Sequence, residues 1–184
     1  MTIALAGRRI DAPDADSPRF PAKNESAVAA QVEAAFRKAG ASALVCSAAC
    51  GADIIALEAA ARLRMERHVV LPFAADEFRQ TSVVDRPGDW GRRFDRVIED
   101  SDVVVLGLDR EDPEAYRKTN IAIVEQAAAR GGTSAFVVWD RKSRGAGDMT
   151  EHFRVEAAAR RMRIVEIATV SGSETDNPAI RRGL

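Results

Sequence analysis

Residues 43–63 read ALVCSAACGADIIALEAAARL, and this stretch decides the fold class. The apolar run from Ala43 to Cys46 is typical of a buried strand, and the small residues from Ser47 to Asp53 predict a tight turn. The segment from Ile54 to Leu63 has the apolar spacing of a helix. A strand, a tight turn and a helix in immediate succession indicate a βαβ unit, which joins parallel strands.

The same alternation of short apolar runs and helical segments extends along most of the chain. Strands are predicted at 2–6, 43–46, 68–72, 102–108, 134–139 and 163–167, and helices at 26–39, 54–63, 90–99, 113–130 and 149–161. The run DVVVLGL at 102–108 predicts a buried strand, and 73–90 a long polar insertion. We therefore predict an α/β fold, a Rossmann-like three-layer αβα sandwich with a mainly parallel sheet of about six strands. Residues 1–170 should form a single domain, followed by a flexible tail at 171–184.

Composition narrows the possible partners. The 184 residues carry 27 basic and 28 acidic side chains, so no overall charge attracts nucleic acid, which argues against that partner. Cys46 and Cys50 lack C-x-x-C spacing, and His68 and His152 are far apart, so we expect no metal and no required cofactor. Without a leader or a long apolar run, the sequence predicts a cytoplasmic protein with no membrane contact. Alanine-rich helices would allow a homodimer.

Ligands of open parallel sheets bind beyond the carboxyl ends of the strands, where helix N-termini present free N–H groups. The turn at 47–53 lies at such a position. Its small side chains would let backbone N–H groups approach an anion, with Ser47 as a further donor and Gly51 able to adopt a positive φ. Asp53 could cap the helix or accept a hydrogen bond from a ribose hydroxyl. A plain capped turn is the alternative.

Two other loops share this position. Gly7, Arg8 and Arg9 follow the first strand, where two guanidiniums could face the same anion, although solvated arginines are the alternative. The stretch 145–151, GAGDMTE, lies between a strand and a helix, and its glycines could cradle phosphate. Glu151 would then either match the helix dipole at the surface or face the ligand as a catalytic carboxylate.

The loop after the third strand is a fourth candidate, because Pro72 and Arg79 flank an aromatic segment that could form a lid. Its aromatics, Phe73 and Phe78, could equally belong to the core. Asn120 lies within a predicted helix that follows a strand. The predicted ligand-binding residues are Gly7, Arg8, Arg9, Ser47, Gly51, Ala52, Asp53, Pro72, Arg79, Asn120, Gly145, Gly147 and Thr150.

The sequence contains no Walker A motif, no G-x-G-x-x-G after the first strand and no G-x-S-x-G elbow. These absences argue against a P-loop NTPase, an orthodox NAD dehydrogenase and an α/β-hydrolase.

The pattern S-x-x-x-G-x-D-x-x-A, formed by Ser47, Gly51, Asp53 and Ala56, resembles the SLOG superfamily, named for the SMF/DprA and LOG proteins. Gly7-Arg8, LPFAADEFRQTSV at 71–83, Tyr116 with Asn120, and the glycine loop before the last helix extend the resemblance. It is similar in particular to SLOG domains found beside bacterial signalling modules. The resemblance implies a Rossmann-like domain that binds nucleotides or NAD-derived metabolites.

LOG members of that superfamily cleave the N-glycosidic bond of nucleoside monophosphates and carry P-G-G-x-G-T-x-x-E. Here the stretch at 145–151 lacks the adjacent glycine pair and changes the spacing from threonine to glutamate. Our leading hypothesis is therefore a ligand sensor that binds a nucleotide or NAD-derived small molecule. One alternative is an N-glycosidase that uses Glu151 as its carboxylate. Another is a protein-interaction domain with a vestigial pocket.

Overall fold

The computed structural model describes residues 1–170 and contains one parallel sheet between two layers of helices. The strands are β1 (Thr2–Gly7), β2 (Ala43–Cys46), β3 (Glu66–Leu71), β4 (Asp102–Val105), β5 (Ser134–Trp139) and β6 (Arg163–Ala168). The helices are α1 (Glu25–Ala39), α2 (Ala52–Arg62), α3 (Ala75–Ser82), α4 (Trp90–Glu99), α5 (Ala115–Ala129) and α6 (Met149–Ala159), with a 3₁₀ turn at Ala22–Asn24. This confirms the predicted Rossmann-like three-layer sandwich. The predicted tail at 171–184 lies outside the described residues.

The order of the strands places β1 in the interior of the sheet. The order is β4-β3-β2-β1-β5-β6, and every neighbouring pair is parallel. The chain moves outward from β1 to β4, crosses back to β5 beside β1, and ends at β6. Because the direction of winding reverses between β1 and β5, the loops after these two strands diverge and leave a crevice.

Successive residues of the strands point into two separate cores, one on each face of the sheet. Ile3 and Leu5 of β1 pack with residues of α1, α2 and α4, whereas Ala4 packs with residues of α5 and α6. Residues of β2 alternate in the same way, with Leu44 on the first face and Val45 on the second. Burial on both faces explains why these strands are continuous apolar runs rather than alternating ones.

The strand predicted at 102–108 is present, but it is shorter than predicted, and the prediction that it is buried is wrong. The regular strand β4 ends at Val105 and forms an edge of the sheet, where Val105 is 47% exposed. Beyond it the chain still follows the end of β3, because the N–H of Leu106 donates to Leu71 O at 2.9 Å and that of Leu108 to Pro72 O at 2.8 Å. An apolar run indicates a strand but carries no information about the strand's place in the sheet.

The polar insertion predicted at 73–90 contains the helix α3. Only Phe78 and Ser82 of its eight residues are buried, so no repeated apolar stripe marks it in the sequence. Phe78 packs against Phe73 and Phe94, with ring centroids 6.1 and 6.2 Å apart respectively. The two phenylalanines of this segment, Phe73 and Phe78, therefore belong to the core.

Within residues 1–170, none of the helices has the combination of length and apolar character that a membrane span requires.

Candidate functional site

A cleft of about 510 Å³ opens at the carboxyl ends of the strands, beside β1. Its lining comes from five stretches, at 6–19 after β1, 47–53 after β2, 78–86 in and after α3, 116–123 in α5 and 144–150 at the start of α6. This volume falls in the range of small-molecule sites, and the position is the one where doubly wound sheets bind their ligands.

Seven of the predicted ligand-binding residues line this cleft, and they come from four different elements. They are Gly7, Arg8, Arg9, Ser47, Asp53, Asn120 and Thr150. The predicted residues that do not line it are Gly51, Ala52, Pro72, Arg79, Gly145, Gly147 and the proposed catalytic Glu151. The loops after β1 and β2 and the start of α6 therefore meet at one place, while the glycines before α6 lie outside it.

Arg8, which lines the cleft, belongs to a buried ionic cluster, which we call the Arg8 cluster and which consists of Arg8, Asp140, Asp148 and the carbonyl of Lys142. Arg8 is only 3% exposed. Its Nε donates to Asp140 Oδ1 at 2.9 Å, its Nη1 to Asp148 Oδ1 at 2.6 Å and its Nη2 to Lys142 O at 2.6 Å. Arg8 thus joins the end of β1 to the loop after β5, and its charge is balanced inside the protein.

Asp148 of this cluster also caps α6. Its Oδ1 accepts from the N–H groups of Thr150 and Glu151 at 3.0 and 3.1 Å, and its Oδ2 accepts from the N–H of Arg144 at 2.9 Å. Burial alone would raise the pKa of Asp148, but Arg8 and these amides outweigh it and lower the pKa to about 2. The N–H groups predicted to hold phosphate at the start of α6 are therefore occupied by Asp148.

On the β2 side of β1, the loop after β1 runs directly over Gly51 at the start of α2. Gly51 has φ = 103°, and a Cβ there would lie 2.5 Å from the backbone nitrogen of Ile10. The N–H of Ala52 donates to Arg8 O at 3.1 Å, and that of Ile10 to Cys50 O at 3.2 Å. Gly51 adopts the positive φ that the sequence suggested, and in this structure the backbone that approaches it closely is the protein's own.

Three residues that line the cleft have a buried polar side-chain atom with no hydrogen-bond partner among the described residues. They are Arg9 Nε, Ser47 Oγ and Asp53 Oδ1, of which the two oxygens belong to the segment that follows β2. Asp53 is 7% exposed, and its other oxygen accepts from the N–H of Ala49 at 3.2 Å. Burial raises the pKa of Asp53 to about 7, against the opposing effects of the Ala49 N–H and Arg9. We call Ser47, Ala49 and Asp53 the Asp53 turn.

Arginines dominate the charged lining of the cleft. Besides Arg8, the arginines that line it are Arg9, Arg19, Arg86 and Arg144, against the two carboxylates Asp11 and Asp53. Arg9 and Arg86 both pair with Asp85, and the side chain of Arg144 is 53% exposed. No motif in the sequence marks Arg19, Arg86 or Arg144, although Arg144 directly precedes the glycine loop. Their positive charge favours an anionic ligand.

A less charged part of the lining comes from α3, α5 and α6. Asn120 is buried, and its Nδ2 donates to Met149 O at 2.8 Å, which ties α5 to the start of α6. The Tyr116 hydroxyl lies 3.0 Å from Ser82 Oγ, and its ring meets that of Phe73 edge to face. Apolar and aromatic groups of this kind form the body of most small-molecule sites.

The remaining predicted residues have partners elsewhere. Arg79 donates from its Nε and Nη2 to the two carboxylate oxygens of Asp95, at 2.8 and 3.1 Å. Glu151 lies 3.6 Å from Arg154. Neither side chain lines the cleft, so the carboxylate that the N-glycosidase hypothesis assigned to catalysis lies outside it.

Among residues 1–170, no three or more His, Cys, Asp and Glu side chains come together in a way that could hold a metal ion. Comparison of the chain with protein-family models, with curated proteins and with solved structures finds no match. The resemblance to the SLOG superfamily therefore stays a prediction.

Proposed function

We propose that this chain binds a phosphate-bearing nucleotide, or a small molecule derived from a nucleotide or from NAD, in the cleft beside β1. The observation that carries this proposal is that one cleft at the reversal of strand order combines an arginine-rich side with buried, unpaired polar atoms on the Asp53 turn. A phosphorylated sugar offers the complementary groups, since its phosphate suits guanidiniums and its hydroxyls suit unpaired oxygens.

The phosphate is better matched by Arg9, Arg86 and Arg144 than by Arg8. Arg8 already has two carboxylates and a carbonyl as partners, whereas Arg144 is half exposed and lies 3.8 Å from Asp148. The proposed division places the phosphate near these arginines and the apolar part of the ligand against α3 and α5.

The proposal is for binding rather than turnover. Glu151 does not line the cleft, and its charge is already near Arg154. Of the two carboxylates that line the cleft, Asp11 accepts from the N–H groups of Arg19 and Phe20, each at 2.8 Å. This arrangement supports a sensor that binds its ligand and releases it unchanged.

The proposal is tested by calorimetric titration of the purified protein with AMP, GMP, CMP, UMP, NAD and ADP-ribose. We expect saturable binding of at least one compound, and Arg144→Ala should weaken it about tenfold because a charge-assisted contact is lost. The matched control is Arg92→Ala, an exposed arginine of α4 paired with Asp89, which should leave affinity unchanged. Chromatography of the same mixtures should show no free base.

No binding of any of these compounds by the wild-type protein would contradict the proposal. Release of free base by a pure sample would instead favour the N-glycosidase alternative.

A further inference from the structure

The Asp53 turn holds its unpaired atoms in fixed positions. Asp53 is the second residue of α2, and its Oδ2 is anchored on the N–H of Ala49 at 3.2 Å, so its Oδ1 cannot turn away to solvent without losing this bond. Ser47 directly follows β2 and also lines the cleft. Buried oxygen atoms without partners are unfavourable, and beside a cleft a bound ligand can supply the missing partner.

The chemistry of this pair restricts what that partner can be. A carboxylate oxygen accepts hydrogen bonds, and a serine hydroxyl both donates and accepts. A phosphate would be repelled by the carboxyl once it ionises above about pH 7, and a metal ion would need further ligands that the described part of the chain does not group there. Neutral donors that can also accept, such as the hydroxyls of a sugar, satisfy both atoms.

We propose that Asp53 Oδ1 and Ser47 Oγ form a subsite for the sugar hydroxyls of the ligand, so that the cleft selects ribose over deoxyribose compounds. This inference rests on the proposed function and specifies its substrate class. Asp53 accepts from one hydroxyl, and Ser47 bonds to the same or the neighbouring one. A site built to bond a hydroxyl discriminates strongly against an analogue that lacks it, because its own buried groups are then left unpaired.

The test compares ribose 5-phosphate with 2-deoxyribose 5-phosphate, and AMP, GMP, CMP and UMP with their 2′-deoxy and 3′-deoxy counterparts, by calorimetric titration. For the wild-type protein we expect a deoxy compound to bind roughly tenfold to a hundredfold more weakly than its ribo counterpart. Asp53→Asn and Ser47→Ala should each weaken binding of the ribo compound and reduce this ratio towards one, with little effect on the deoxy compound.

Thr119→Val is the matched control. Thr119 also lines the cleft, but its hydroxyl already donates to Ala115 O at 2.8 Å, so its removal should leave the ribo-to-deoxy ratio unchanged. Circular dichroism of each variant checks that it is folded, and because the two test substitutions are on different elements, either one alone is sufficient.

The outcomes separate the two proposals. Equal binding of ribo and deoxy compounds by the wild-type protein would overturn the hydroxyl subsite and leave the proposed function standing. A ribo preference that survives both Asp53→Asn and Ser47→Ala would also overturn the subsite, since other residues would then read the hydroxyl. Failure of every sugar phosphate and nucleotide to bind would overturn the proposed function itself.

Discussion

Two buried aspartates near the cleft differ in their hydrogen-bond partners and in their pKa. Asp148 in the Arg8 cluster and Asp53 in the Asp53 turn are both buried aspartates at the start of a helix, on the two sides of β1. Asp148 has an arginine and three backbone N–H groups as partners, and its pKa is lowered to about 2. Asp53 has one N–H and an unpaired oxygen, and its pKa is raised to about 7.

This difference distinguishes a cluster that stabilises the fold from a turn that we propose to bind the ligand. The Arg8 cluster satisfies its own charges and fixes the loop after β5, so its arginine contributes to the shape of the cleft. In the Asp53 turn, Asp53 Oδ1 and Ser47 Oγ have no partner in the described protein, and we propose that a ligand supplies one. Residue type and position at a helix start therefore do not distinguish the two roles, whereas the partners of each atom do.

The largest expected effect on stability comes from disrupting the Arg8 cluster. Arg8→Ala leaves Asp148 buried without its close guanidinium partner and Asp140 with only that of Arg19, which should lower the free energy of unfolding by about 3–5 kcal/mol. Urea denaturation measures this change. Arg92→Ala, which removes an exposed pair with Asp89, is the control and should cost below about 1 kcal/mol. Similar losses for the two variants would show that the Arg8 cluster has no special structural role.

The dependence of stability on pH should distinguish the two aspartates. Asp53 keeps a proton in the folded protein up to about pH 7, whereas its ordinary pKa is 3.8, so rising pH between these values favours the unfolded chain. The difference between these two pKa values corresponds to a loss of up to about 4 kcal/mol. Asp53→Asn removes this loss, so its stability relative to the wild type should increase from pH 4 to pH 8. Asp148 acts in the opposite sense, since its lowered pKa stabilises the protein above pH 4 and this contribution is lost as pH falls towards 2.

These curves come from urea denaturation at a series of pH values. Parallel curves for the wild type and Asp53→Asn would contradict the raised pKa and, with it, the unsatisfied state of the Asp53 turn.

A smaller effect on stability is expected from a substitution at Gly51. Gly51→Ala places a Cβ against the backbone of Ile10 at a positive φ and should cost roughly 1–3 kcal/mol. Gly147→Ala is the matched control, because a Cβ there has no neighbour within 4 Å. Thermal unfolding of the two variants measures the difference. Equal melting temperatures would mean that the loop after β1 does not lie over Gly51 as described.

The smallest effect should follow from changing a predicted residue outside the cleft. Glu151→Gln disturbs only a surface pair with Arg154, so nucleotide affinity should stay within about twofold of the wild type. A large loss in the titration would place Glu151 in the ligand site and favour the catalytic alternative.

The sequence was sufficient for the fold because short apolar runs mark β1, β2 and β5, and segments with helical spacing alternate with them along the chain. It was not sufficient for the edge position of β4, since strand order depends on contacts between distant segments. Nor did it indicate α3, of which only Phe78 and Ser82 are buried.

For the site, we expected residues that follow strands to meet at one edge of the sheet, and Arg8, Ser47 and Asp53 do line the same cleft. The partners of Arg8, Asp140 and Asp148, are 132 and 140 residues away along the chain, so the sequence could not show that this arginine is already paired. For the same reason it could not show that Asp148 occupies the N–H groups at the start of α6.

A crystal structure of the protein with a bound ribonucleotide tests most directly whether the ligand contacts the Asp53 turn and leaves the Arg8 cluster intact. We predict a sugar hydroxyl within about 2.6–3.2 Å of Asp53 Oδ1, with the phosphate near Arg144 and Arg8 still paired with Asp140 and Asp148. A nucleotide bound outside the cleft, or one whose phosphate displaces Asp148 from Arg8 while Asp53 Oδ1 contacts nothing, would contradict it.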